Sequence, residues 1–355
     1  MQRRSAAILV LLVAVAAFVM GPSRPAGATV VSNEAGLRIA VLNSSETSIT
    51  LANSVELTDC VAGALTRTSP NSLVINGAGF TIHQTCAGKD LIDATGGGSL
   101  TFDHVLAQVD GADGITNTAN VTVTDSTISG PGGDGIFASG PATTINLIRS
   151  LITDVANDGI SAQGGASVSV VASTIDHSNN DGIFAQGGGV SLQNSTITAS
   201  IGDGIATLGG GSVTLVYATL IDNGAGTVFH TGALSPFGSV IALASSGVNC
   251  SGGGTGSSQG FNFSDDTSCG LSTPTDHPAA GTPQLAALAN NGGPTPTAQP
   301  APGSPLIDVI PVGACGLKVD QRGFPRPSGA GCDIGAVEVQ VAAPAPVPIT
   351  PRFTG

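Results

Sequence analysis

Tryptophan is absent from this chain, tyrosine occurs once, methionine twice, and aromatic residues fill only 3% of the 355 positions. A globular core built on large rings is excluded by that scarcity. Positive charge is also scarce: 11 Lys and Arg stand against 24 Asp and Glu, a formal net charge of −13. Phosphate binding needs a basic stripe, so a nucleic-acid partner is excluded. Uronate polysaccharides are disfavoured as substrates, because beyond the first residues only Arg38, Arg67, Lys89 and Arg149 precede residue 272. No C-x-x-C pair, phosphate loop or zinc motif is found.

What is present is repetition. Asp-Gly-Ile recurs with its isoleucine at Ile115, Ile136, Ile160, Ile183 and Ile205, in steps of 21, 24, 23 and 22 residues. Ser126-Thr127-Ile128 returns as Ser150-Leu151-Ile152, Ser173-Thr174-Ile175, Ser195-Thr196-Ile197 and Ala218-Thr219-Leu220. Two further apolar columns keep the beat: Val121, Ile145, Val168, Val190, Val213, and two residues on Val123, Leu147, Val170, Leu192, Leu215. Such a period marks stacked supersecondary units. Alternation of apolar and polar residues within each unit marks strands. The expected fold is all-β: a right-handed parallel β-helix, a solenoid with irregular N- and C-terminal caps, its coils about 4.8 Å apart.

The expected organisation has five parts. Residues 1–28 read as a signal peptide: Arg3 and Arg4, the apolar run Ala6 to Met20, and Ala26-Gly27-Ala28 as the cleavage pattern. Export to an extracellular or cell-surface location follows, with no transmembrane helix in the mature chain. Residues 29–99 are expected to form an N-terminal cap of irregular first coils, 100–271 the regular repeats with an insertion at 224–238, 272–340 a C-terminal cap, and 341–355 a Pro/Ala-rich tail. Six cysteines in an exported chain suggest disulfides, and their grouping favours Cys60–Cys86, Cys250–Cys269 and Cys315–Cys332.

The C-terminal third carries distinctive segments. Val248-Asn249-Cys250-Ser251, Gly260-Phe261-Asn262-Phe263, Ser268-Cys269-Gly270-Leu271, Asp320-Gln321-Arg322-Gly323-Phe324-Pro325-Arg326-Pro327 and Cys332-Asp333-Ile334-Gly335-Ala336 stand between residues 241 and 338. This region resembles that of the bacterial "choice-of-anchor Q" family of secreted β-helix proteins. The resemblance implies an exported, envelope-associated protein and no particular reaction.

Three groups of residues are candidates for chemistry. Asp103, His104, Asp125 and Arg149 fall on three successive coils. A carboxylate, an imidazole and a guanidinium in one place could abstract a proton beside a sugar carboxylate. Asp113, Asp134, Asp158, Asp181 and Asp203 form a ladder of like charges that calcium could relieve, or that serves as turn residues accepting backbone N–H bonds. No other metal or cofactor is expected. The outward column Thr101, Thr122, Asn146, Ser169, Ser191 and Thr214 is a flat polar strip suited to glycan hydrogen bonds. The preferred reading is a non-enzymatic surface or matrix protein in adhesion, glycan contact or envelope structure. The alternative is a polysaccharide lyase or epimerase using the Asp/His/Arg group.

Overall fold

From Thr29 to Gly256, strands of two to six residues alternate with corners in the computed structural model, which describes residues 27–341. The expected signal peptide, but for residues 27–28, and the tail, but for residue 341, lie outside the described residues. No described helix is long and apolar enough to cross a membrane.

Three parallel sheets of 11, nine and nine strands wind into a β-solenoid. Sheet A holds Val121–Thr124, Thr144–Ile148, Ser167–Val171, Val190–Gln193 and Val213–Val216 among its strands. Sheet B holds Thr127–Ser129, Leu151–Val155, Thr174–Ser178, Thr196–Thr198 and Thr219–Ile221. Sheet C holds Ile136–Ser139, Ile160–Gln163, Ile183–Gln186 and Asp203–Leu208. The register stacks like on like: Ile136 on Ile160 and Ile183, Ile152 on Ile175 and Ile197. Each inward residue is buried on its counterparts one coil away, giving a continuous core along the axis. β-Branched side chains suit this pleated, layered interior.

The recurring serine has its own structural role. The amide of Val105 donates to Ser126 Oγ, Ser126 to Ser150, Ser150 to Ser173 and Ser173 to Ser195, at 3.0–3.3 Å. Each corner amide buried by coil stacking is thus satisfied by a hydroxyl from the next coil. Glycine in Asp-Gly-Ile is required by proximity: a Cβ at Gly159 would stand 2.5 Å from the Gly182 carbonyl oxygen.

Two expectations about organisation are revised. The stretch expected to hold irregular first coils already contributes Ser48–Leu51, Val55–Leu57, Leu65–Arg67, Leu73–Asn76, Thr81–Gln84 and Ile92–Ala94 to the three sheets. One α-helix among the described residues, Glu34–Leu42, packs on this first coil, its first turn capped by Asn33 Oδ1 accepting from Gly36 N. Arg67, only 2% exposed, donates to the carbonyls of Val41, Asn43 and Glu46 where that helix ends. Nor is 224–238 an insertion. It supplies Gly226–His230 to sheet C and Ala233–Phe237 to sheet A, in register with the preceding coil. Gly226 and Pro236 at buried positions and Ala233 at an exposed one disguised its strands.

The C-terminal segment also differs from an end cap. Beyond the last strands, Phe263 and His277 extend the stack by single bridges. The chain then doubles back and lies on the outer face of sheet B. Gln321 joins Ser173 O, Thr174 Oγ1 and Thr196 Oγ1 at 2.7–3.1 Å, and Ala336 N donates to Thr219 Oγ1. Asp320 holds the turn by accepting from Arg322 Nε and Nη2 and from the amides of Phe324 and Glu338. Arg326 lies over the Tyr217 ring at 4.1 Å and donates to the Asp333 and Gly335 carbonyls. The Asp-Gln-Arg-Gly and Cys-Asp-Ile-Gly segments are therefore the fastening of a flank segment. All three disulfides are the local pairs expected, at Cys60–Cys86, Cys250–Cys269 and Cys315–Cys332. Cys60–Cys86 joins corners of the first two coils, Cys250–Cys269 ties the last coil to the chain that leaves it, and Cys315–Cys332 closes a loop of the flank segment.

Candidate functional site

His104, Asp125 and Arg149 occupy one structural position, the corner residue between sheets A and B. Their φ values are +52°, +47° and +47°, and Ala172, Asn194 and Tyr217 continue the column in the same left-handed conformation. That conformation disfavours β-branched residues and suits Asn, Asp and His. From His104 to Tyr217 the column holds no Val, Ile or Thr, in keeping with that conformation. Asp154, His177, Ala199 and Asp222 form a second such corner column, between sheets B and C.

The structure does bring Asp103, His104, Asp125 and Arg149 together. Arg149 grips Asp125 with two prongs, Nε to Oδ1 at 2.7 Å and Nη2 to Oδ2 at 2.5 Å. That bond holds the Arg149 guanidinium above its ordinary pKa. His104 Nδ1 lies 2.8 Å from Asp103 Oδ1, and its Nε2 is 3.9 Å from Asp125 Oδ2. Asn76 Nδ2 donates to the other Asp103 oxygen. The imidazole is 44% exposed on a convex corner. An imidazole oriented by a carboxylate is the arrangement of a general base. The guanidinium that would bind an acidic sugar is already matched by Asp125. Asp103, His104 and Asp125 each present one ligand atom within 4.8 Å of the others. The Arg149 charge seated on Asp125 opposes a cation there.

The aspartate ladder is assembled as well, and extends one coil further to Asp90. Each Oδ1 accepts the amide of its counterpart on the next coil: Asp113 from Asp134, Asp134 from Asp158, Asp158 from Asp181, and Asp181 from Asp203, at 2.8–3.1 Å. Asn157 and Asn180 add side-chain bonds to Asp134 and Asp158. Asp134, Asp158 and Asp181 are only 7%, 4% and 9% exposed. Burial, with the charge of a ladder neighbour, pushes each up to about 6. Asp113 and Asp203 are raised too, by burial first. One oxygen of each of Asp113, Asp134, Asp158 and Asp181 is engaged by a backbone donor, the turn-residue geometry.

The polar strip Thr101, Thr122, Asn146, Ser169, Ser191 and Thr214 is one column of sheet A in continuous register. Asn146, Ser169, Ser191 and Thr214 line a shallow groove of about 310 Å³. Sequence reasoning missed a second charged group. On sheet B, His83 Nδ1 lies 2.8 Å from Glu56 and Nε2 3.1 Å from Asp110, beside a concavity shared with Gln108 and Asp154. Strand pairing of Glu56 with His83 was hidden because their coil lies in the stretch read as irregular.

Residues 111–267 match the family described as right handed beta helix region. No curated protein matches this chain. Among solved structures it is similar to a pectate lyase, Pel9A, at 15% identity over 82% of this chain and 79% of that one, with a TM-score of 0.43. It is also similar to the SRRP of L. reuteri 53608, at 14% identity over 65% of this chain and 98% of that one, with a TM-score of 0.33. The three-sheet topology defines the fold as a parallel β-helix, and the match over residues 111–267 agrees with its right hand.

Proposed function

We propose that this chain is an exported, non-enzymatic β-helix protein of the cell surface or extracellular matrix, acting in adhesion, glycan contact or envelope structure. One observation carries the reading: the best-placed acid, base and guanidinium are closed on one another. Arg149 is bound by both oxygens of Asp125, and His104 faces Asp103 on an open corner. A lyase or epimerase acting on uronates needs that guanidinium free to bind the sugar carboxylate. Three disulfides fit an oxidising compartment. The polar strip of sheet A offers hydrogen-bond partners along the axis without a closed pocket.

The test is incubation with a panel of uronate polysaccharides, read by ultraviolet absorbance for unsaturated product. No absorbance rise above a heat-denatured control is expected. Activity abolished by His104→Ala would replace this reading with the lyase one.

A further inference from the structure

On the outer face of sheet C one column alternates large and small. In continuous register it runs Thr116, Phe137, Ser161, Phe184, Ala206, Phe229, Ser251. The three phenylalanines are half-buried, and none packs against either hydrophobic core cluster. Between them Ser161 is 1% exposed and Ala206 6%, although both face outward. The rings flank both small residues in the column and stay partly exposed, and Gln163 Nε2 also donates to Ser161 Oγ at 3.4 Å. The flank segment makes its hydrogen bonds to sheet B and its corners, and among the described residues none to sheet C.

Successive rings are two coils apart, about 9–10 Å at the spacing of stacked strands. That is the length of one disaccharide in an extended β-1,4-linked glycan, whose sugar rings present apolar C–H faces. The surroundings add polarity of a definite kind. Ser139, Gln163 and Gln186 stand two residues beyond the column on the same outer face. On its other side runs the aspartate ladder, and Thr116, a member of the column, donates to Asp113 Oδ2 at 3.2 Å. The ladder's negative charge, accessible at Asp113 and Asp203 and screened by burial at the three aspartates between them, disfavours a uronate polymer on this strip and favours amino groups.

We infer that sheet C binds a linear β-1,4-linked glycan of neutral or amino hexoses along the solenoid axis, stacked on Phe137, Phe184 and Phe229. This inference rests on the proposed surface role and names the ligand class for it.

The test uses the full chain and isothermal titration with chitosan oligosaccharides, cello-oligosaccharides and oligogalacturonates. The expected result is binding of the first two, tighter for chitosan, and weaker by about tenfold in Phe184→Leu, one aromatic contact's worth. Phe184→Tyr, which keeps the ring, retains wild-type affinity, and equal melting temperatures separate binding from folding. Undiminished binding in Phe184→Leu would overturn the inference while leaving a glycan-contact role on another face. Preference for oligogalacturonate, or no binding by any of the three, would overturn it too. A Phe-dependent dimer seen by analytical ultracentrifugation without glycan binding would assign the strip to self-association instead. Only the uronate cleavage assay bears on whether the protein is an enzyme.

Discussion

Replacing Asp158 by Asn tests the state of the aspartate ladder. Asp158 is 4% exposed, its Oδ1 accepts from Asp181 N and Asn180 Nδ2, and its carboxyl is raised from 3.8 to about 6 by burial and by Asp181. A group whose folded pKa lies above its unfolded one binds protons preferentially in the folded state. Its stabilisation is therefore complete below about pH 3.8 and lost as pH rises through about 6. At pH 7.5 the folded protein carries the penalty of an ionised, buried carboxylate, on the order of 3 kcal/mol for a shift of that size. Asparagine keeps the carbonyl acceptor and removes the charge, which also relieves Asp134. Guanidinium denaturation from pH 4.5 to 8 should show the variant more stable than wild type by about 1–3 kcal/mol at pH 7.5 and close to it at pH 4.5. Wild-type stability itself should fall across pH 4–7. A variant less stable at pH 7.5, with the same pH profile as wild type, would mean that the ladder carboxylates are held by their amide donors as stable anions, and the argument would fail.

Other interactions give separate expectations. Ser173→Ala removes the acceptor of the Ser150 amide in a fully buried column and should cost about 1–3 kcal/mol in chemical denaturation. Gln321→Ala breaks the bonds to Ser173, Thr174 and Thr196, so limited proteolysis should cut residues 283–341 faster while the coils stay resistant. Selective loss of Cys315–Cys332, which closes 17 residues, should lower stability by about 3 kcal/mol and loosen the same segment first, as hydrogen exchange would report.

Much of the molecule was legible because its contacts are periodic. Ile136, Ile160 and Ile183 stack directly, as their spacing implied. The candidate group around His104 was found because it follows the same period. The coil at 226–237 escaped notice because Gly226 stands where the pattern has Asp, and Pro236 where the inward column has Leu or Val. Phe137 and Phe184 directly follow Asp-Gly-Ile, so their outward orientation was readable, but Phe229 completes the stripe only once that coil is recognised.

By itself the sequence determined the strand period, the inward columns and the all-β solenoid, because a coil's neighbours are about 22 residues away and repeat. Tertiary structure alone decided three things. The corner residues His104, Asp125 and Arg149 take left-handed φ, a consequence of coil geometry. Arg149 spends its donors on Asp125, which only side-chain direction reveals. The C-terminal segment lies along sheet B, joined through contacts such as Gln321 to Thr174, 147 residues apart, that occur once and leave no period to read.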